Sequence, residues 1–219
     1  MSDPQASASP ATFTPSELVV LFGDRFAEEG GMLTAKEEVL TSGKKVSAEK
    51  LAHAAMAAAL LAAEQSGAVR LEVRRTKALF GLMKGEKLHV VPGPRPSAWP
   101  AGTVEAAIAE SAPSGPEASD LFGALIGAKT ANASQRFVSV VKAGLAGRGL
   151  LGTEQKKTLM VFTTMHFTLP DATRAAAGRA STDPVRDLLR SAEQGRPHEW
   201  SLMMKAIRAA ITWMTETSD

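Results

Sequence analysis

The segment that most constrains the fold runs from Ala48 to Glu64 and consists almost entirely of alanine, leucine and methionine. Such a composition predicts a helix, and a helix this apolar through its middle must be buried on most of its sides. Ser47 stands where an N-cap is expected, and Gly67 follows as a glycine terminator. The rest of the chain must therefore supply several elements that surround this helix.

Capping residues and apolar spacing predict that most of these elements are helices. The last one carries Trp200 and several methionines on a single stripe, which at this spacing indicates core packing. This last helix is predicted to begin at about Glu199. Of the others, one begins after Thr14, one runs from Thr103 to Glu110 and one from Ser119 to Ile126. A further helix starts at Asn132 or Ser134 and ends at Gly147 or Gly149, and two more begin at Asp171 and Asp183.

Two segments have the composition of β-hairpins. Residues 68–73 alternate apolar and charged side chains, which is typical of a half-exposed strand, and Glu86–Val91 predicts its partner. The second hairpin follows a glycine-ended helix and spans about Glu154 to Met165. Residues 23–48 are predicted to form loops and a short helix, and residues 92–103 are too rich in proline and glycine for regular structure.

These elements predict a mainly α fold. The expectation is one globular helical-bundle domain over residues 14–217, with two wing-like β-hairpins of which one protrudes. A chain of 219 residues that is 44% hydrophobic can bury such a core. Residues 1–13 are rich in serine, alanine and proline and are predicted to form a disordered tail.

Composition excludes several classes of function. The chain has no cysteine, so disulfides, thiolate metal sites and cysteine nucleophiles are ruled out. No window approaches the roughly 18 apolar residues of a membrane span, and the N-terminal residues lack the pattern of a signal peptide. A net charge of +2 is mildly basic, which leaves room for a local basic surface. We expect a cytoplasmic protein.

No catalytic constellation is evident. The four histidines are not spaced as metal ligands, and no nucleophile elbow or phosphate-binding loop occurs. The glycines at positions 144, 147 and 149 follow a helix instead of a strand, so they do not form a dinucleotide fingerprint. The sequence therefore predicts a non-enzymatic protein with no catalytic residues, no metal and no cofactor.

Basic residues near the two hairpins are the strongest candidates for function. Arginine forks suit phosphate oxygens, and an apolar tip beside lysines suits a membrane interface. The alternative for the cations is a solvated edge that blocks strand-to-strand aggregation, and for the tip it is an ordinary buried strand. The candidate anionic-lipid residues are Arg70, Arg74, Arg75, Lys77, Arg136, Arg148, Lys156 and Lys157. The candidate residues for membrane or oligomer contact are Leu159, Met160, Val161 and Phe162.

The sequence resembles the Golgi phosphoprotein 3 family over most of residues 14–215. The likeness is clearest where the apolar helix enters Gly67–Glu72 and where Gly149–Glu154 leads through a basic turn to Thr163-Thr-Met-His166. The resemblance implies a bundle core with a protruding hairpin, a peripheral membrane location, binding of phosphatidylinositol 4-phosphate and capture of cytosolic protein tails. It also implies that the hairpin at 154–165 contacts the membrane or a second copy of the chain.

The lipid-pocket residues of the eukaryotic family members are not matched. Ser47, Met56, Gln135 and Val138 stand where those members have tryptophan or basic residues. The resemblance therefore implies an adaptor that binds phosphoinositide-like, anionic head groups through a basic face. Two alternatives stay open: a winged-helix-like nucleic-acid binder, which is disfavoured because the helix before the first hairpin is so apolar, and a ligand-free protein–protein scaffold.

Overall fold

The computed structural model describes residues 13–31, 34–78, 83–127, 129–158 and 162–215, without the side chains of 76–78, 83–84, 155–158 and 162–164. Within these ranges the chain forms eight α-helices and three two-stranded antiparallel sheets, so the fold is mainly α as predicted. The helices are α1 Pro15–Leu21, α2 Ala48–Gln65, α3 Val104–Ser111, α4 Ala118–Ile126, α5 Ala133–Gly147, α6 Asp171–Arg179, α7 Asp183–Gly195 and α8 Pro197–Thr215. The strands are β1 Lys36–Glu38, β2 Lys45–Ser47, β3 Val69–Ala78, β4 Met83–Pro92, β5 Gly152–Thr158 and β6 Phe162–Thr168.

Helix α2 lies at the centre of the hydrophobic core. Twelve of its eighteen residues are buried, which confirms the prediction from its composition. The Ser47 hydroxyl accepts a hydrogen bond from the backbone N–H of Lys50 at 3.4 Å, and Gly67 ends the helix with a left-handed φ of 81°. Helices α1, α3, α5, α7 and α8 all pack against α2, so its apolar surface is covered by other helices.

Capping residues correctly predicted where the surrounding helices α1 and α3 begin. At α1, the Glu17 carboxylate accepts from the backbone N–H of Thr14 at 2.9 Å. At α3, the Thr103 hydroxyl accepts from the backbone N–H of Ala106 at 3.2 Å. On α8, Met203, Ile207, Ala210 and Met214 are buried, which confirms this part of the predicted core stripe. Trp200, Met204 and Ile211 of the same stripe are half-buried at its edge. No helix in the described part of the chain combines the length and the apolar character of a transmembrane span.

The sheets differ from the prediction in one respect. Both predicted hairpins are present, as β3–β4 and β5–β6, and their strands are longer than the apolar patterns suggested. The prediction for residues 23–48 was incomplete, because β1 and β2 form a small hairpin there after a 3₁₀ turn at Gly23–Arg25. Strands of three residues are too short to show a periodic pattern. The predicted tail at 1–13 lies almost entirely outside the described residues.

Candidate functional site: hairpins, buried ion pairs and two grooves

The side chains on one face of β3 become more exposed from the base of the β3–β4 hairpin outward. Val69 at its base is buried, Leu71 is half-buried, and Val73 is 37% exposed. The first three candidate cations, Arg70, Arg74 and Arg75, are all exposed. The hairpin carries six basic residues and two acidic residues, so its outer part is positively charged.

Nearby carboxylates contact all three arginines. Glu72 lies 3.6 Å from the Arg70 guanidinium and 2.9 Å from that of Arg74, and Glu86 lies 3.8 Å from Arg75. Pairs this exposed contribute about 0–1 kcal/mol, so a phosphate can compete for the guanidiniums. The carboxylates therefore weaken the positive surface without abolishing it.

The strand register distributes these cations over both faces of the hairpin. Arg74 lies opposite Lys87 and Arg75 lies opposite Glu86, and adjacent residues of a strand point to opposite faces. Arg70 therefore shares a face with Arg74, whereas Arg75 belongs to the other face. Lys77 is opposite Lys84 in the register, but the side chains of both lie outside the described residues.

The β5–β6 hairpin is attached to the core through its base. Leu151 is buried, and Phe167 packs against the core cluster, while Met165 further along β6 is 53% exposed. Within the described residues the two strands make no extensive contact with any other element. The register pairs Lys156 with Thr164 and Lys157 with Thr163, but the lysine side chains and the tip Leu159–Phe162 fall outside the described side chains.

The two remaining candidate cations are at different ends of α5. Arg136 is exposed and forms no ion pair with the described residues. Arg148 is mostly buried at the C-terminal end, where its guanidinium pairs with the buried Glu17 carboxylate. Burial raises the pKa of Glu17, although the Thr14 N–H and Arg148 both act to lower it. Arg148 therefore lies inside the fold and apart from the hairpin arginines.

Helix α5 also bears on the nucleic-acid alternative. A recognition helix needs several cations that reach outward to phosphates or bases. Lys142 is only 7% exposed and pairs with Glu37, and Arg148 pairs with Glu17. Arg136 is the one exposed cation among these three on α5, so this helix does not favour the winged-helix interpretation.

A basic groove, which the sequence did not predict, lies between the segment at Arg25 and Phe26 and helices α2, α7 and α8. It has a volume of about 450 Å³ and exposes Arg25, Lys50, Arg186 and Arg190 on its rim. We call it the α2–α7 groove. The spacing of Arg186 and Arg190 by four residues was a signal that they share one face of a helix. Their meeting with Arg25 and Lys50 arises from tertiary packing and has no local signature.

A second groove of about 920 Å³ lies between α4 and α8, and we call it the α4–α8 groove. Trp213 on its edge is 62% exposed, and the Lys129 ammonium sits 4.1 Å from the centre of the indole ring. Its rim carries both signs of charge, with Asp120 as well as Lys205 and Arg208. This groove is therefore apolar and roomy, and its lining has one more base than acid.

The histidines occupy separate environments. His89 Nδ1 lies 3.1 Å from the carbonyl oxygen of Gly115, and His198 Nε2 lies 2.8 Å from the Glu86 carboxylate. His53 is half-buried, and burial lowers its pKa. The described residues contain no group of three or more histidine, aspartate or glutamate side chains that could hold a metal ion.

Comparisons with protein-family models, with curated proteins and with solved structures found no match to this chain.

Proposed function

We propose that this protein is a non-enzymatic, cytoplasmic adaptor that associates peripherally with anionic membrane surfaces through its β3–β4 and β5–β6 hairpins. The observation that carries the proposal is the outer part of β3–β4, where the exposed Val73 shares a face with the exposed Arg75 and the adjacent Arg74 extends from the other face. An apolar side chain among guanidiniums suits the membrane interface, because the first enters the acyl boundary while the others bind phosphate.

The proposed architecture is a helical bundle from which the hairpins project as wings. It is supported by the helices that surround α2 and by the small number of contacts that β5–β6 makes beyond its own base. The resemblance to the Golgi phosphoprotein 3 family implies the same arrangement. The proposed role of the tip Leu159–Phe162 in membrane contact or self-association rests on the sequence.

The contribution of the hairpin arginines to the free energy of membrane binding can be estimated. Each basic residue near an anionic leaflet contributes about 1 kcal/mol, and the effect decays within a Debye length of about 8–10 Å. Removing two hairpin arginines should therefore weaken binding by about 2 kcal/mol, or roughly thirtyfold. The neighbouring carboxylates Glu72 and Glu86 reduce this figure at β3.

Co-sedimentation with vesicles of phosphatidylcholine and phosphatidylserine tests the proposal. We expect binding at low salt, loss of binding at high salt, and much weaker binding by the Arg74→Gln, Arg75→Gln double variant. The control is Arg174→Gln with Arg179→Gln, which removes the same charge from the exposed surface of α6. Absence of the parent protein from the vesicle pellet at low salt, or equal loss in both variants, would contradict hairpin-directed binding.

A ligand-free scaffold is the second candidate, and the α4–α8 groove favours it. An exposed tryptophan beside an open apolar groove is typical of a protein-binding surface. The vesicle experiment separates the two functions, because a scaffold stays in the supernatant whatever the salt concentration.

A further inference from the structure

The α2–α7 groove combines an apolar floor with a basic rim. Four half-buried side chains supply most of the floor: Phe26, Leu189, Trp200 and Met204. The rim carries four cations, Arg25, Lys50, Arg186 and Arg190, and Glu193 is the one acidic residue in the lining. Four exposed cations thus accompany this apolar surface.

This composition is that of a protein interface more than that of an ordinary surface. Phenylalanine, tryptophan, methionine and arginine are enriched at interfaces, and they supply six of the twelve lining residues, against one lysine and one glutamate of the depleted types. Tryptophan and arginine also dominate the residues whose removal weakens binding most. The groove is open and has room for a few side chains of a partner segment, consistent with its volume of about 450 Å³.

The arginines on the rim are held only weakly by the protein itself. Arg25 donates to the Thr182 hydroxyl at 3.1 Å and lies 4.8 Å from the centre of the Phe22 ring, and it forms no ion pair with the described residues. Arg186 lies 3.7 Å from Asp183, and Arg190 lies 3.3 Å from Asp187.

Both of these carboxylates are highly exposed, at 76% and 66%. Exposed pairs three residues apart on a helix contribute about 0.2–0.5 kcal/mol. A partner carboxylate that is partly shielded from water can therefore replace them. Lys50 pairs with Glu28, which is also exposed, so the same exchange is open to it.

We propose that the α2–α7 groove docks an acidic peptide segment of a partner protein, with apolar side chains on the floor and aspartate or glutamate at the arginine rims. The inference rests on the adaptor part of the proposed function, for which it names the chemistry of a client, and it does not depend on membrane binding. Guanidinium forks bind carboxylates in a bidentate manner, which would orient the segment along the groove.

The test is selection of peptides from a random display library on the full chain, with counter-selection on the Arg186→Glu, Arg190→Glu variant. Both positions are exposed on α7, so circular dichroism and thermal unfolding should match those of the parent. We expect an enriched family that combines acidic and apolar residues. A selected peptide, measured by fluorescence polarisation, should lose about tenfold or more in affinity for the groove variant.

A charge swap sharpens the result. Lysine in place of the acidic residues of the selected peptide should restore binding to the groove variant and weaken binding to the parent. The matched control is Arg174→Glu with Arg179→Glu on α6, which should bind the original peptide like the parent. Enrichment of basic peptides, or of peptides that bind the groove variant equally well, would overturn the proposal.

Vesicle co-sedimentation of the same groove variant keeps this inference separate from the proposed function. Unchanged vesicle binding together with lost peptide binding supports the peptide site. Lost vesicle binding without any discriminating peptide would assign the groove to lipid instead and overturn the proposal. Failure of the hairpin variants alone leaves the peptide result intact, so the two ideas fail independently.

Discussion

Helix α5 with its C-cap residue, and strand β3, each carry three basic residues whose side chains the structure describes, but these side chains have different surroundings. On α5, Lys142 and Arg148 are turned toward Glu37 and Glu17. On the hairpin, Arg70, Arg74 and Arg75 remain exposed even though Glu72 and Glu86 lie close to them. The same residue types therefore serve packing in one region and remain open to a partner in the other.

The difference lies in the environment of the acid partner. Glu17 is 1% exposed, so removing its cation would leave a buried charge without compensation. Glu72 keeps contact with water, which solvates it when its arginine turns away. A cation paired with a buried acid therefore stabilises the fold, whereas one paired with an exposed acid can exchange partners at little cost.

The largest effect should come from breaking the buried pair. Arg148→Ala should lower the free energy of unfolding by about 3 kcal/mol, because it leaves the Glu17 carboxylate buried and unpaired. Arg70→Ala is the matched change on the hairpin and should alter it by less than about 0.5 kcal/mol. Urea unfolding measures both values, and equal values would remove the distinction between the two regions.

The pH dependence identifies the cause. Burial raises the pKa of Glu17 above its ordinary value of 4.5, so its protonated form is favoured in the folded state. The stability linked to this group is complete below the unfolded pKa and is lost as the pH rises through the folded pKa. The cost of Arg148→Ala should therefore be greatest near neutral pH and shrink in acid. A cost that is constant with pH would point to lost packing instead.

A smaller effect on stability should come from replacing glycines of α5, because Gly144 packs against a neighbouring loop and Gly147 does not. A Cβ on Gly144 would lie 2.3 Å from the carbonyl oxygen of Gly102, whereas a Cβ on Gly147 would meet nothing within 4 Å. Gly144→Ala should therefore cost about 1–3 kcal/mol through the displaced loop. Gly147→Ala should be neutral or stabilise by up to about 1 kcal/mol. Thermal unfolding of the two variants checks the contrast, and similar behaviour would mean that α5 does not pack closely on this loop.

Much of the fold was predictable because its signals are local. Ser47, Thr103 and Thr14 each cap a helix as predicted, and the composition of α2 indicated its burial. The β1–β2 hairpin was missed because its strands contain three residues each. Its Glu37 pairs with Lys142 across 105 positions, a contact for which the local sequence gives no sign.

The candidate site was less predictable for the same reason. Arg148 and Arg70 have equal standing in the sequence, since both stand near a predicted hairpin. Only the tertiary position of Glu17 places Arg148 in the interior. The α2–α7 groove likewise brings together Arg25, Lys50 and α7 from three distant parts of the chain. Local patterns identify basic residues that can be exposed, but they do not show which of these residues lie together in the folded chain.

The smallest predicted effect concerns His53, a half-buried histidine that lines the α2–α7 groove and has no acid bonded to it among the described residues. Burial lowers the pKa of His53, and its Nε2 atom has no hydrogen-bond partner among the described residues. Unfolding lets the imidazole bind a proton near its ordinary pKa of about 6.5, so stability should fall as the pH drops from about 7.5 to about 5.5. His53→Gln should remove this component, at most about 1.4 kcal/mol per pH unit, as measured by urea unfolding across that range.

Glu49 provides the control for this interpretation. Its carboxylate raises the pKa of His53, whereas burial and Arg208 lower it. Glu49→Gln should therefore lower the pKa of the folded-state imidazole further and extend the loss of stability to more acidic pH. If Glu49→Gln leaves the profile unchanged while His53→Gln flattens it, burial alone governs this histidine. If neither variant changes the dependence of stability on pH, the imidazole of His53 binds protons equally well in the folded and unfolded states. It would then resemble the exposed hairpin arginines and not the buried Lys142 and Arg148.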